Sequence, residues 1–254
     1  FGGIRIMAYS TIPKGSLYMN TKLYTGTGSS NSVTGVGFQP DMTWFKHRNG
    51  TSEHNIYDAV RGATKRIIPN DATAEGTQSN GLSAFGSDGF TVVDSNATNL
   101  NNGTYASWNW KANGQGSSNT DGSINTTYTS VNTTSGFSIS QYTGNGSAST
   151  IGHGLGVIPK MIIVKALSTT GQWAVQHTIL GAGRWIELDS NAASDTSTPI
   201  WNNTEPTSSV FTVGTNARTN TNGTTYVAYC FANVQGYSKM GAYMGNGSTG
   251  GSSG

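Results

Sequence analysis

The chain has 254 residues, a formal net charge of +2 and only 10% charged residues, against roughly 25% in an average soluble protein. So weak a field gives no electrostatic case for nucleic acid or an anionic membrane surface, and no apolar run approaches the ~20 residues of a membrane-spanning helix. The single Cys230 rules out a disulfide framework within the chain, leaving packing or assembly to supply stability.

Glycine, serine, threonine and asparagine stand where the charges are missing, which suits short strands joined by many turns. Residues 1–19 lie outside the pattern that follows. Ile4-Arg5-Ile6 and Leu17-Tyr18-Met19 have the length of short strands, broken by Pro13 and Gly15, and read as an arm or the end of a preceding domain. Phe1 is not an initiator methionine, and FGGIRIMAYS lacks the basic region and long apolar core of a signal peptide. The sequence therefore reads as part of something longer.

Residues 20–113 form a first repeat. Lys22-Leu23-Tyr24-Thr25-Gly26 runs into a glycine turn, and GFQPDMTWFK (37–46) follows as a strand. Further strand-length runs are Asn55 to Val60, Gly62 to Ile68, Leu82 to Phe85, Phe90 to Val93 and Thr104 to Lys111. Many short strands with Gly and Asn punctuation predict an antiparallel sandwich or barrel. Residues 114–135 are polar and of low complexity, with almost nothing apolar to bury, and read as a linker.

Residues 136–236 repeat the first copy step by step. GHGLGVIPKMIIVK (152–165) echoes GFQPDMTWFK, pairing Pro40 with Pro159, Met42 with Met161 and Lys46 with Lys165 at a constant spacing of 119. Tyr142-Thr143-Gly144 copies Tyr24-Thr25-Gly26, and Phe211-Thr212-Val213 copies Phe90-Thr91-Val92. The spacing drifts by a few residues, so insertions fall in loops, as expected of two copies of one sandwich. In the closing strands Ala106, Trp108 and Trp110 match Val227, Tyr229 and Phe231. Every second residue is apolar, so these side chains are expected to be buried in one core while their alternates look elsewhere. Residues 237–254 carry YMGNGS, a copy of Tyr142 to Ser147, and read as the start of a third repeat. The predicted fold is all-β: two tandem antiparallel, jelly-roll-like β-sandwiches and the beginning of another.

The phrases YTGNGS, GHGLGVIPKMIIVK, WNNTEPTSSVFTVG, TYVAYCFANVQGYSKMGAYMGNGS and YDAVRGATKRI resemble the tandem concanavalin-like (lectin/laminin-G-like) repeats of marine tailed-phage virion structural proteins. The resemblance covers about Lys22 to Ser248. It implies a jelly-roll-like sandwich on the outside of a virion, in a tail fibre or a capsid fibre, and no catalytic residues. The lack of a disulfide, the few charges available for ion pairs and the exposed strand edges of small sandwiches predict a homo-oligomer. Part of residues 1–19 or of Tyr237 to Met244 is expected to pack on another copy or another domain. The resemblance adds a trimer, other virion proteins as contacts and host-surface glycan as a ligand class. The alternative is a secreted bacterial adhesin or extracellular filament subunit built from the same repeats.

Candidate chemistry is sparse. His47, His54, His153 and His177 show no zinc spacing, and His153, in a glycine turn, reads as a solvated loop residue. Glu187 and Asp189 lie two apart and share a face, but Ile68 and Asn70 stand in their places in the first repeat, which weakens a paired-carboxylate glycosidase reading. Cys230, whose counterpart is Asn109, reads as a small packing residue. Asp88, Asp94, Asn96 and Asn99 offer oxygens of the kind calcium takes, in a spacing that matches no dedicated loop. Trp173, Trp185 and Trp201 are candidate sugar-stacking platforms. Trp201 with Asn202 and Asn203, and Trp173 after it, form the candidate carbohydrate site, against the reading that these indoles cover the sandwich ends. No enzyme activity, cofactor, metal, nucleic-acid partner or membrane insertion is expected.

Overall fold

The computed structural model describes residues 10–243. Its first half contributes β1 (Met19–Thr25), β2 (Asn31–Thr34), β3 (Met42–His47), β4 (Asn55–Asp58), β5 (Lys65–Arg66), β6 (Gly76–Thr77), β7 (Leu82–Gly86), β8 (Gly89–Val92) and β9 (Thr104–Trp110). The second half contributes β10 (Tyr128–Asn132), β11 (Phe137–Thr143), β12 (Ser149–Gly152), β13 (Met161–Ala166), β14 (Ala174–His177), β15 (Arg184–Glu187), β16 (Asp195–Thr196), the short helix α1 (Thr198–Trp201), β17 (Val210–Val213) and β18 (Thr225–Phe231). The strand expected at Ile4-Arg5-Ile6, and the third repeat from Met244 on, lie outside the described residues.

The chain is an all-β sandwich protein, and its two halves share one strand order. The larger sheet of the first half runs β1-β9-β3-β4 and continues through an Ile56–Ile67 bridge towards the β5–β6 pair. In the second half β11-β18-β13-β14-β15-β16 repeats that order. A smaller sheet closes each sandwich, β2-β8-β7 in one and β12-β17 in the other. The halves differ where β7 is replaced by α1. At the repeat spacing Trp201 stands where Leu82 does, and both are fully buried in the interiors of their own sandwiches.

The segment 114–135 is not the free linker that its composition suggests. It contains β10, which extends the larger sheet at β11, and Ile124 bridges to Ile151 and packs on the second core. Hydroxyls do the packing that apolar side chains would do elsewhere. Thr126 bonds Thr129 (2.9 Å), Thr129 bonds Ser140 (3.0 Å), and Ser140 donates to the Gly152 carbonyl (3.1 Å). A strand held by its backbone and by buried hydroxyl pairs needs no hydrophobic pattern to form.

The arm also differs from expectation. Gly15–Leu17 is a single 3-10 turn and β1 begins at Met19, because Pro13 and Gly15 interrupt extended pairing. The Tyr18 ring meets Tyr237 edge-on at 6.3 Å. The 3-10 turn and the segment after Gly236 thus touch within one chain. Residues 237–243 form no strand. They follow a hook in which Val234 and Ser238 bridge and the Met240 N–H donates to Asn233 Oδ1.

The closing strands bury both faces, which alternation alone cannot sort. Tyr105, Ser107 and Asn109 point into the first sandwich and are fully buried, as are Tyr226, Ala228 and Cys230 in the second. Val227 and Tyr229 face the other way and are also buried, but Trp108, Trp110 and Phe231 are only half-buried. The expectation of burial therefore holds for Tyr229 and is corrected for Trp108, Trp110 and Phe231. Trp110 and Phe231 belong to the seam where the two larger sheets face each other, with Trp110 6.4 Å from both Phe137 and Phe231. Met42, Ile56 and Ile67 from one half and Ile139, Ile163 and Val175 from the other complete a hydrophobic cluster shared by both.

Candidate functional site

The candidate sugar residues do not form a sugar platform. Trp173 and Trp201 are each 0% exposed, so neither indole offers a ring face to a pyranose. Trp201 ends α1, and Asn202 and Asn203 follow it with φ of 52° and 47°, a left-handed reversal that asparagine tolerates well. These two residues are exposed, while the Trp201 ring before them is buried. Trp185 is buried as well, and the Arg218 guanidinium covers its ring at 4.6 Å. The signal that could have placed Trp201 correctly was its alignment with Leu82.

Trp173 instead works across the seam. Its indole N–H donates to the Ile68 carbonyl (2.9 Å) and the Asp71 carbonyl (3.2 Å) of the first half. The same loop receives the Gly171 N–H at Ala72 O (2.8 Å), while the Glu75 N–H donates to Leu167 O (2.9 Å). Lys165, fully buried, sends its ammonium to the carbonyls of Ala72, Ala166 and Gly171 at 2.9–3.1 Å. Burial brings the Lys165 pKa down to about 8, against the pull of Asp189 and Asp71.

A buried ionic cluster lies in the same seam. Asp58 Oδ2 accepts from Arg61 Nε (2.6 Å) and from the Tyr229 hydroxyl of the second half (2.6 Å), and Arg61 Nη1 reaches Glu75 (3.0 Å). Burial works against the Arg61 charge, but Asp58, Tyr229 and Glu75 outweigh it and hold the guanidinium protonated beyond its usual range. Burial, with the Asp58 charge beside it, raises the Tyr229 phenol well above the ordinary value. Nothing at the matching positions of the second repeat could have revealed the cluster, because Asp58 and Arg61 align with His177 and Leu180.

Other polar groups brace loops. Asn99 donates to the Val93 and Ser29 carbonyls and accepts the Thr27 N–H. Asn220 does the same with Gly214, Ser147 and Asn145. Beside each clamp two tyrosines stack, Tyr24 on Tyr105 at 5.2 Å and Tyr142 on Tyr226 at 5.3 Å. Asp88, offered above as a calcium ligand, takes the Gly35 and Gly37 N–H groups instead, and these hold its carboxyl below the usual range. Among the described residues no three His, Cys, Asp or Glu side chains are grouped to hold a metal.

Glu187 takes Ser190, Gln172 and Arg218, while Asp189 accepts the Trp173 N–H at 3.0 Å. Burial, and less so Glu187, raises the Asp189 carboxyl. His153 is buried rather than solvated. Its Nε2 donates to Thr207 O and its Nδ1 accepts the Leu155 N–H, an arrangement for neutral imidazole, and burial lowers its pKa accordingly. Cys230 is the packing residue its position implied, with burial pushing its thiol up to about 12.

The seam is not filled. A cavity of about 410 Å³ lies between the Trp44 and Trp110 rings of one sheet and the Phe137 and Phe231 rings of the other, with Trp173 and Tyr229 also on its wall. Trp110 and Phe231 both line this space and are half-buried.

The family model described as a domain of unknown function (DUF7483) matches residues 14–253. The chain belongs to this family. The matched span takes in both sandwiches and the strand-bearing connector between them, the same unit that the seam ties together. No curated protein and no solved structure matches the chain.

Proposed function

We propose that this chain is a non-enzymatic structural component of a tailed-phage virion, a segment of a fibre or surface decoration that works as a rigid double sandwich. The phrase-level resemblance to tandem virion repeats supplies the location. The observation that carries the structural role is how the reactive groups are used: Asp58, Arg61, Lys165, Asp189, His153 and Cys230 are each buried or engaged in holding a loop or the seam. A protein that spends its polar chemistry on internal bracing suits a load-bearing part. The outer edge of β1 has no strand partner among the described residues, and Leu23 on that strand is 57% exposed. An edge of this kind needs a neighbour, which favours a homo-oligomer, with a trimer suggested by the resemblance. The buried indoles remove the main argument for a host-surface glycan at Trp173 and Trp201.

Immunogold microscopy of purified virions, with antibody raised against residues 10–243, tests the reading. Label along fibres or on the capsid surface is the expected result. Label confined to uninfected cells or their filaments would overturn it in favour of a secreted adhesin or filament subunit. Light scattering of the expressed chain is expected to give a multiple of its 26.6 kDa mass. A stable monomer at micromolar concentration would defeat the oligomer.

A further inference from the structure

We propose that the cavity in the seam is a binding site for an uncharged, largely apolar small molecule with an aliphatic or aromatic body. Its volume of about 410 Å³ falls within the roughly 300–1,000 Å³ of ordinary small-molecule sites. Water is a poor occupant. The space would take roughly a dozen molecules at the ~30 Å³ each claims in the liquid, and each needs two to four polar partners. Ser135, Ser238 and Tyr237 bring hydroxyls to the wall, together with Tyr229, whose hydroxyl Asp58 already engages. No charged side chain lines the cavity, so an ionised ligand would lie there uncompensated.

The composition of the wall points the same way. Met19, Met42, Met161 and Met240 all line it, and they are all the methionines between residues 10 and 243. Thioether side chains adapt to irregular apolar partners and make favourable contacts with rings, and here they are interleaved with aromatic residues from both sheets. Such a grouping is poor design for a core meant to be solid, where defined rotamers and full packing give stability. It suits a space that closes on a guest.

The position of the chain around the opening favours a small molecule over a protein segment. Gly15 from the 3-10 turn and Tyr237, Ser238 and Met240 from the hook contribute to the lining, and the Tyr18–Tyr237 contact ties turn to hook. The cavity is thus bordered by two segments of this same chain as well as by both sheets. These few hydroxyls can form a hydrogen bond with a single hydroxyl or carbonyl on an otherwise apolar guest. A medium-chain alcohol fits that description.

The test uses the whole expressed chain and the neutral fluorophore N-phenyl-1-naphthylamine, excited through Trp44, Trp110 and Trp173. Emission is expected to rise and saturate at one probe per chain, and 1-decanol is expected to displace it. Met161→Trp and Met240→Trp each place a ring in the space and are expected to weaken probe binding at least ten-fold, with the melting temperature within a few degrees of the parent. If the Met161 variant fails to fold, the Met240 variant, at a half-buried position on the hook, carries the test. Non-saturating emission, no displacement by decanol, or parental binding in a folded cavity-filled variant would overturn the proposal.

Discussion

Replacing Trp173 with alanine is the most informative single perturbation of the seam. The side chain is 0% exposed, sits in the hydrophobic cluster shared by both halves and donates to two carbonyls of the opposite half. Truncating a buried tryptophan costs about 3–5 kcal/mol through lost transfer energy and the cavity left behind. At ~2–4 °C per kcal/mol for a chain of this size, the melting temperature should fall by roughly 6–20 °C. Trp173→Phe keeps most of the apolar contact and loses the indole N–H, so a smaller loss of about 2 kcal/mol is expected. Urea titration followed by circular dichroism gives both values, provided the slope stays that of the parent. A loss under ~1 kcal/mol for the alanine variant would refute the claim that this indole joins the halves.

Further outcomes follow from the braces and the buried ionisable groups. Asn99→Ala and Asn220→Ala each orphan three backbone groups, so each should cost about 2–3 kcal/mol by urea titration; a pair differing by more than ~1.5 kcal/mol would contradict their equivalence. Lys165 has a folded pKa of about 8, below the roughly 10.4 of an unfolded lysine. Between those values the unfolded chain binds more protons, so stability relative to Lys165→Met should rise from pH 8 towards pH 10. A flat difference over that window would sink the assignment. Cys230, with its thiol pushed up to about 12, should resist a disulfide reagent in buffer and react in denaturing urea. Fast labelling of the native chain would show that the core of the second sandwich is not closed.

Much of the fold was legible because the repeat carries it. The Met42/Met161 and Lys46/Lys165 spacing set β3 against β13, and the order of the flanking strands follows. What escaped was anything that only one copy has, or that lies in the seam. β10 hides in a polar segment because its packing is made by Thr126, Thr129 and Ser140 hydroxyls. The burial of Trp110 is hard to read from sequence because its strand is covered on both sides, once by its own sandwich and once by the other half. The sequence leaves Trp173 and Trp201 open between a sugar platform and a cover over the sandwich ends, because tryptophan carries the same composition signal in either place. The Asn99 and Asn220 clamps were within reach, since NATN at 96–99 and NARTN at 216–220 differ by one inserted residue. A further repeat, ANGQG at 112–116 against ANVQG at 232–236, marks the exit from each sandwich. Its closing glycines, Gly116 and Gly236, share φ values of 75° and 76°, the left-handed turn that glycine makes without strain.

Differential scanning calorimetry of the whole chain tests the shared seam most directly. A cluster that draws Met42 and Ile56 from one sandwich and Ile163 and Tyr229 from the other, with Asp58 bonded to Tyr229 across it, should make the two unfold together. The predicted result is one transition whose calorimetric and van't Hoff enthalpies agree, displaced as a whole in Trp173→Ala. Two resolved transitions, only one of them moved by that substitution, would contradict the account.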